Sequence, residues 1–283
     1  MKQLRVLTLH SDLPEQDDLA KIAKSYPARE CQHLEQATLG FRDLPGMHGE
    51  KVLMVEGSTF LYAEFLRFRR SVPANVRDRE VRKRIKKLND NGEEITSKVR
   101  KALKDEVTNE LLPKMPQMDT VIPLVIDIAS KRIWVGATSD SIVDKVFQLL
   151  RNAGLSILVE LWFEGVDLSR WMGDWMLDRQ ELPESLSLGG KVKLADPHEP
   201  QATVTISNEE LTEAEFQAVA ESRTVISLEL ANAGLSFMLG HDGAFKSLKF
   251  EGDSDWEDLA HEIGVKLTEF RNALSKLNDR FEH

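Results

Sequence analysis

The sequence predicts an α+β protein with several small antiparallel sheets, packed helices, a basic helical hairpin and a long C-terminal helix. Three observations lead there. Short apolar runs pair off across tight-turn signals, at Ala129-Ser130-Lys131 and at His241-Asp242-Gly243, as antiparallel hairpins do. Two stretches with helical spacing, about 73–88 and 95–112, follow one another with no strand between them. Apolar residues near the C-terminus fall at positions 256, 260, 263, 267, 270, 274, 277 and 281, alternating steps of four and three.

Along the chain, Leu4, Val6, Leu7 and Leu9 predict an opening strand, and Pro14 with Asp17 starts a short helix to about Tyr26. Residues 51–56 (KVLMVE) and 59–68 (TFLYAEFLRF) form an expected hairpin around Gly57-Ser58. In its second arm Phe60, Tyr62, Glu64, Leu66 and Phe68 share one face, and Arg67 and Arg69 take the other. Pro73 opens a helix to about Leu88 with a narrow stripe of Val81, Ile85 and Leu88; Asn89-Asp90-Asn91-Gly92 breaks it. The next helix carries Val99, Leu103, Val107 and Leu111 in register and is stopped by Pro113.

The middle of the chain predicts strands at 121–128 and 132–135, a helix at 141–152, a strand at 156–163, and a helix at 168–178 with Trp171 and Trp175 one turn apart. Residues 182–200, punctuated by Pro and Gly, are the expected linker. Thr212-Glu213-Ala214-Glu215 is a capping box for a helix carrying Phe216 and Val219. Strands follow at 225–230, 235–239 and 245–250, and a second capping box at 254–257 opens the final helix. Its heptad seam suits a core-packing helix, with an intermolecular coiled coil as the alternative. The expected organisation is an N-terminal α+β part (1–73), the basic hairpin (74–118), a central α+β part (119–181) and a C-terminal α+β part (182–283).

Charge is the most uneven property of the chain. Residues 67–104 hold 14 Lys and Arg against 5 Asp and Glu, whereas the remaining 245 residues hold 23 against 42. A segment of net +9 thus sits in a protein of net −10. Such a field draws a polyanion to one surface while the rest repels it. The hydrophobic fraction of 41% supports a folded core, and no run of 18 apolar residues or secretory leader is seen. The expectation is a soluble cytoplasmic protein, nucleoid-associated or in a host cytoplasm if phage-encoded, with no membrane partner. The single cysteine, Cys31, excludes an internal disulfide and multi-cysteine zinc patterns.

No catalytic motif is present: no phosphate-binding glycine loop, no nucleophile elbow and no His-Glu-x-x-His. The seven histidines are scattered, and Cys31 beside Arg29 reads as an ordinary thiol. Acids at 253–258 suit a helix start. Asp119, Asp127 and Lys131 are the nearest approach to a nuclease set, and their spacing fits no nuclease signature. The expectation is no enzyme, no cofactor and no metal. The expected phosphate contacts are Arg77, Arg79, Arg82, Lys83, Lys86, Lys87, Lys98, Lys101 and Lys104, all by charge. Few aromatics lie among them, which favours duplex backbone contact over stacking on single-stranded bases.

Leu103-Lys104-Asp105-Glu106-Val107, followed by Leu111-Leu112-Pro113, resembles the RdgC family of recombination-associated proteins. Thr38-Leu39-Gly40-Phe41, Val72-Pro73 before the basic helix, the 127–135 hairpin with the helix ending Leu149-Leu150-Arg151, and residues 237–250 (FMLGHDGAFKSLKF) are similar too. The resemblance is collinear over about residues 1–280 and suggests a divergent relative. It implies a ring-shaped homodimer through which duplex DNA passes with little sequence preference, and antagonism of RecA-type strand exchange. Residues 114–118 (KMPQM) and 203–210 (TVTISNEE) are less basic than the family pattern, which puts a second DNA-contact surface in doubt. The expected partners are double-stranded DNA, a second copy of the chain and a RecA-type recombinase. The alternatives are a protein-interaction factor, such as a viral inhibitor or DNA mimic, and a metal-dependent nuclease.

Overall fold

A computed structural model of the chain describes residues 1–55, 59–207, 217, 223–251 and 259–281. The order is β1 (Gln3–Leu9), α1 (Gln16–Ser25), β2 (Ala37–Phe41), β3 (Val52–Met54), β4 (Phe60–Arg70), α2 (Ala74–Asp90), α3 (Ser97–Leu111), a 3-10 turn (Leu112–Lys114), β5 (Gln117–Asp127), β6 (Arg132–Val135), α4 (Asp140–Asn152), β7 (Val159–Leu161), α5 (Leu168–Met176), β8 (Ser187–Ala195), β9 (Thr203–Ser207), β10 (Thr224–Ala231), β11 (Leu235–Gly240), β12 (Ala244–Phe250) and α6 (Leu259–Phe281). The class is α+β. The expected turn at Gly57-Ser58, both capping boxes and the helix with Phe216 and Val219 lie outside the described residues.

The strands do not fall into several small sheets. They hydrogen-bond in one order, β2-β4-β5-β6-β1-β12-β11-β10-β8-β9, with β3 added to β4 and β7 to β1. The reason is β1, which pairs with β6 on one edge and with β12 and then β7 on the other. A strand that local reading leaves alone therefore joins two ladders into one.

By contacts the chain divides into two units. Unit 1 comprises Met1–Ile22, Asp43–Glu64 and Pro123–His283; unit 2 comprises Ala23–Arg42 and Phe65–Ile122. In unit 1 one face of the sheet supplies Leu4, Val6, Phe237, Leu239 and Phe245 to a core closed by Leu168, Met172 and Trp175 of α5 and by Ile263, Leu267, Phe270, Leu274 and Leu277 of α6. The heptad seam of α6 is thus spent inside its own chain, and the coiled-coil alternative is not what the seam does. Its last member, Phe281, stacks on Trp175 and meets Trp162 and Trp171 edge-on or tilted.

The expected linker at 182–200 contains β8, held between β10 and β9. The glycines that made it look like a loop answer a packing need. A Cβ at Gly189 would lie 2.5 Å from Cγ of Glu229 on β10, so the strand keeps its register only without a side chain there. The strand expected at 156–163 is confined to Val159–Leu161, because Trp162 leaves it to donate from Nε1 to the Gly243 carbonyl at 3.1 Å. In β4, residues Phe60–Phe65 are buried on both faces rather than one. Buried Glu64 accepts a hydrogen bond from the Tyr62 hydroxyl at 2.5 Å, which satisfies one of its oxygens.

A buried charge pair ties α6 to the sheet. The Asp127 carboxylate, fully enclosed, accepts from Arg271 Nη2 at 2.9 Å and from Ser130 Oγ at 2.6 Å. The Arg271 guanidinium lies 3.7 Å from the centre of the Phe60 ring and also donates to Thr59 Oγ1 at 2.9 Å.

Unit 2 is built on β2 paired with the C-terminal half of β4, where the Phe41 and Phe65 rings sit 4.2 Å apart. A Cβ at Gly40 would meet the Pro27 carbonyl oxygen at 2.5 Å, which fixes glycine in the Thr38-Leu39-Gly40-Phe41 stretch. α2 and α3 form the expected helical hairpin, with Val81 and Val107 buried along the seam. Thr96 caps α3 by accepting from the Val99 amide. Across the hairpin Arg84 reaches Glu106 at 2.8 Å and hydrogen-bonds Glu110.

Removing the Asp127 carboxylate strands a guanidinium that is three-quarters buried. Asp127→Ala is expected to destabilise the protein by about 3 kcal/mol, the cost of breaking a buried pair. A loss below about 1 kcal/mol in urea unfolding would show that Arg271 finds solvent instead.

The hairpin clamp carries its own pH signature. Arg84 holds the Glu110 carboxyl below the ordinary carboxylate range, mainly by its hydrogen bond. In the same unit Glu35 is held down to about 2 by Arg29 and the Gln32 amide. Folded-state values below the unfolded ones mean that these contacts stabilise fully above the ordinary carboxylate range and are lost as pH falls through the folded values. Amide exchange in α3, corrected for the intrinsic rate at each pH, is therefore expected to quicken as pH falls below the ordinary carboxylate range in the native protein, and much less in Glu110→Gln. Equal acceleration in both proteins refutes the clamp.

Candidate nucleic-acid interface

α2 exists as a helix because Pro73 precedes its first turn and because its interior holds no glycine or proline. Only one narrow stripe of it is apolar. Counting from Val81 at 100° per residue, Ile85, Leu88, Arg84 and Arg77 fall within about 60° of the buried line, while Arg79, Arg82, Lys83, Lys86 and Lys87 occupy the opposite side. The exposure follows this pattern: the latter five are exposed, whereas Arg77 and Arg84 are half-buried.

α3 repeats the arrangement. Lys98, Lys101 and Lys104 are exposed at three-residue intervals on one flank, and Arg100 is exposed as well. Glu106 and Glu110 lie on the other flank, where they engage Arg84. Two of the three acids of α3 are therefore engaged in holding the hairpin together, and Asp105 stays on the exposed side with the lysines.

Ion pairing separates the expected contact residues further. Arg77 Nε lies 3.2 Å from Asp78 Oδ1, and Lys83 Nζ lies 3.2 Å from Glu80 one helical turn away. Arg79, Arg82, Lys86, Lys87, Lys98, Lys101 and Lys104 make no ion pair among the described residues, and neither does Arg100. Sequence reading counts Arg77 among the phosphate contacts by charge, and in the structure it is half-buried on the side of α2 that carries Val81, Arg84 and Leu88. The same reading missed the role of Arg84, whose signal was Glu106 and Glu110 at helical spacing on the facing element.

Unit 2 as a whole holds 18 Lys and Arg against 11 Asp and Glu, and unit 1 holds 19 against 36. The positive run of the sequence is thus a property of one compact unit, +7 beside −17. Lysine and arginine heads on two adjacent helices can neutralise phosphates and release counterions, but the exposed faces offer no aromatic platform for a base.

Other chemistry is accounted for locally. Asp127 is held by Arg271 and Ser130, so it does not converge with Asp119 and Lys131 on a metal. Among the described residues no group of three His, Cys, Asp or Glu side chains is placed to hold a metal ion. Cys31 is buried, with its amide donating to Gln117 Oε1 at 2.7 Å. Among the described residues no helix is long and apolar enough to cross a membrane.

Comparison with known proteins gives a consistent picture. The family model described as "Putative exonuclease, RdgC" matches residues 1–270. A recombination-associated protein RdgC of Shewanella halifaxensis is 24% identical over 252 residues, covering 87% of this chain and 82% of the relative. That of Xanthomonas campestris pv. campestris is 27% identical over 265 residues, covering 87% and 86%. That of Pseudoalteromonas translucida is 24% identical over 258 residues, covering 89% and 84%. With the match running through both units and across the basic hairpin, the chain belongs to the RdgC family.

Proposed function

We propose that the chain binds double-stranded DNA without sequence preference through the exposed basic face of α2 and α3, and that it acts in recombination by occupying duplex that a RecA-type recombinase would otherwise engage. The observation that carries this reading is the segregation of charge: outward bases without partner acids, on a compact basic unit of an acidic chain. The name of the relatives, recombination-associated protein, supports the setting. Phosphate contact by Lys and Arg positions a duplex without reading base edges, so indifference to sequence follows from the side chains present. The same resemblance supports a homodimer closed around the duplex. An acidic exterior and a basic lining suit a ring, because the field then favours DNA inside it alone.

Changing Arg82, Lys83, Lys86 and Lys87 together to Glu leaves the Val81 stripe intact and is expected to preserve folding. Duplex affinity at ~50 mM salt should fall at least about a hundredfold, and the slope of log K against log salt should become shallower by about 3.6, or 0.9 for each of four phosphates. Unrelated duplexes of equal length should compete equally with the native protein. Unchanged affinity in the variant removes the hairpin as the contact surface, and a preference above ~2 kcal/mol between sequences shows that base edges are read.

A closed ring makes a separate demand. Sedimentation should give a dimer at micromolar concentration, and the complex should leave a linear duplex with free ends faster than one with blocked ends. A monomer with and without DNA, or equal departure from both duplexes, reduces the assembly to a binder on one side of the DNA.

A further inference from the structure

The sheet order ends in β2 on one side and β9 on the other, and the two edges are finished differently. At β2 the chain closes its own edge. The Phe41 amide donates to the Tyr26 carbonyl at 2.8 Å, the Ala28 amide donates to the Phe41 carbonyl at 2.7 Å, and Thr38 Oγ1 donates to the Arg29 carbonyl at 2.5 Å. Among the described residues β9 pairs with β8 alone. Its residues, Thr203-Val204-Thr205-Ile206-Ser207, include no charge, no proline and no break in register against β8. Those are the devices that ordinarily keep an edge strand from pairing further. The strand whose lack of lysine counts against a DNA contact is, for the same reason, an unguarded edge.

The ladder fixes which way the main-chain groups of β9 point. The Asp196 amide donates to the Ala202 carbonyl at 3.0 Å, so 196 and 202 face each other as a hydrogen-bonding pair. Alternation makes 194/204 and 192/206 the next such pairs. The N–H and C=O groups of Thr203, Thr205 and Ser207 therefore point out of the sheet edge, and no hydrogen bond reaches them among the described residues. Side chains sort by face. Val204 and Ile206 lie opposite the core residues Leu194 and Val192, and Ile206 packs against that core. Thr205 and Ser207 are exposed and lie opposite Lys193 and Lys191 on the other face. Neither lysine has an ion pair among the described residues. Of the acids carried by these strands and their turn, Asp196 accepts from the His198 and Glu199 amides, and Glu229 lies over Gly189.

We infer that β9 is a strand-addition site for an extended segment of a partner protein in which acidic and apolar residues alternate. A strand added antiparallel, as β8 is, takes the open N–H and C=O groups of Thr203, Thr205 and Ser207 as main-chain hydrogen bonds, which supply affinity whatever its sequence. The two faces then select its side chains. Those opposite Val204 and Ile206 continue the apolar face of the sheet. Those opposite Thr205 and Ser207 stand two strands from Lys193 and Lys191, roughly 10 Å at about 4.8 Å per strand. A glutamate and a lysine close that gap over the short hydroxyl side chains between them, whereas a basic residue there meets like charge. The remainder of unit 1 is acidic, so an acidic segment is drawn to this edge and repelled elsewhere. The site lies in unit 1 and owes nothing to the basic hairpin.

The probe is a short labelled peptide alternating glutamate and valine, titrated into the full chain at ~50 mM salt, where screening is weak. Saturable binding is expected. N-methylation at the glutamates, whose amides face β9, should weaken it at least about tenfold, and N-methylation at the valines, whose amides face solvent, should leave it unchanged. Lysine in place of glutamate in the peptide, or Lys191→Ala/Lys193→Ala in the protein, should each cost about tenfold. Thr205→Pro removes one outward N–H at an edge that tolerates proline and should abolish binding. Hydrogen exchange on the native protein guards against a variant that fails to fold: the peptide is expected to slow exchange at Thr203, Thr205 and Ser207. Absent binding, binding that leaves those three amides unprotected, or equal loss from methylation at glutamate and valine overturns the inference. A native dimer that Thr205→Pro converts to monomers, with no uptake of the peptide, also overturns it and gives the edge to a second copy of the chain.

Discussion

The fold depends on β1. Seven residues at the start of the chain pair with 132–135 on one edge and with 244–246 and 159–161 on the other, so the central ladder cannot close until the chain is almost complete. Its two faces are both buried, but by different chemistry. Leu4 and Val6 enter the core beneath α5 and α6. Arg5 on the opposite face is itself buried and reaches Asp140 at 2.8 Å, the Thr138 carbonyl at 3.1 Å and the Asp242 carbonyl. One side chain thus ties the start of α4 to the β11–β12 turn. Contacts this distant in sequence predict slow folding relative to a helical protein of similar size, because loop closure precedes the reward of pairing.

This connectivity gives the basic unit its setting. Unit 2 comprises two stretches of the chain, and the second, which carries the hairpin, begins within β4 and ends within β5. The hairpin follows β4 and precedes β5, and its two helices are fixed against each other by the buried Val81 and Val107 and by Arg84 with Glu106 and Glu110. Within it, Arg84 does structural work with the same chemistry its neighbours are left free to use outward. The difference between a clamp and a contact residue is one helical step relative to Val81.

Much of this was legible in the sequence, and the failures share a cause. The helical hairpin, α4, α5, α6 and the β10–β11–β12 meander follow from periodicity and turn signals, because those features are local. What was missed was non-local. β8 looked like a linker because Gly189 is explained only by Glu229 on a partner strand forty residues away. The single continuous sheet was hidden because nothing in β1 announces that it pairs on both edges. Arg77 was counted among the phosphate contacts because charge alone does not show that it shares a face with Val81. The heptad seam of α6 was correctly read as apolar, but its partner was found within unit 1.

The outward bases also carry an energetic argument. On α2, Arg79–Lys83, Arg82–Lys86 and Lys83–Lys87 are like charges one turn apart, and Arg100–Lys104 repeats this on α3. Each such pair destabilises an isolated helix by ~0.2–0.5 kcal/mol, so four amount to roughly 1–2 kcal/mol of self-repulsion. A hairpin selected only for stability would exchange some of these for glutamates, as Glu80 does for Lys83. Instead Glu106 and Glu110 sit on the inner flank, where they serve Arg84. Under the proposed DNA-binding reading, a polyanion on the outer face would relieve this repulsion, and the strain held in the free hairpin would become part of the affinity. On this view the uneven charge is a cost the free protein bears for its ligand.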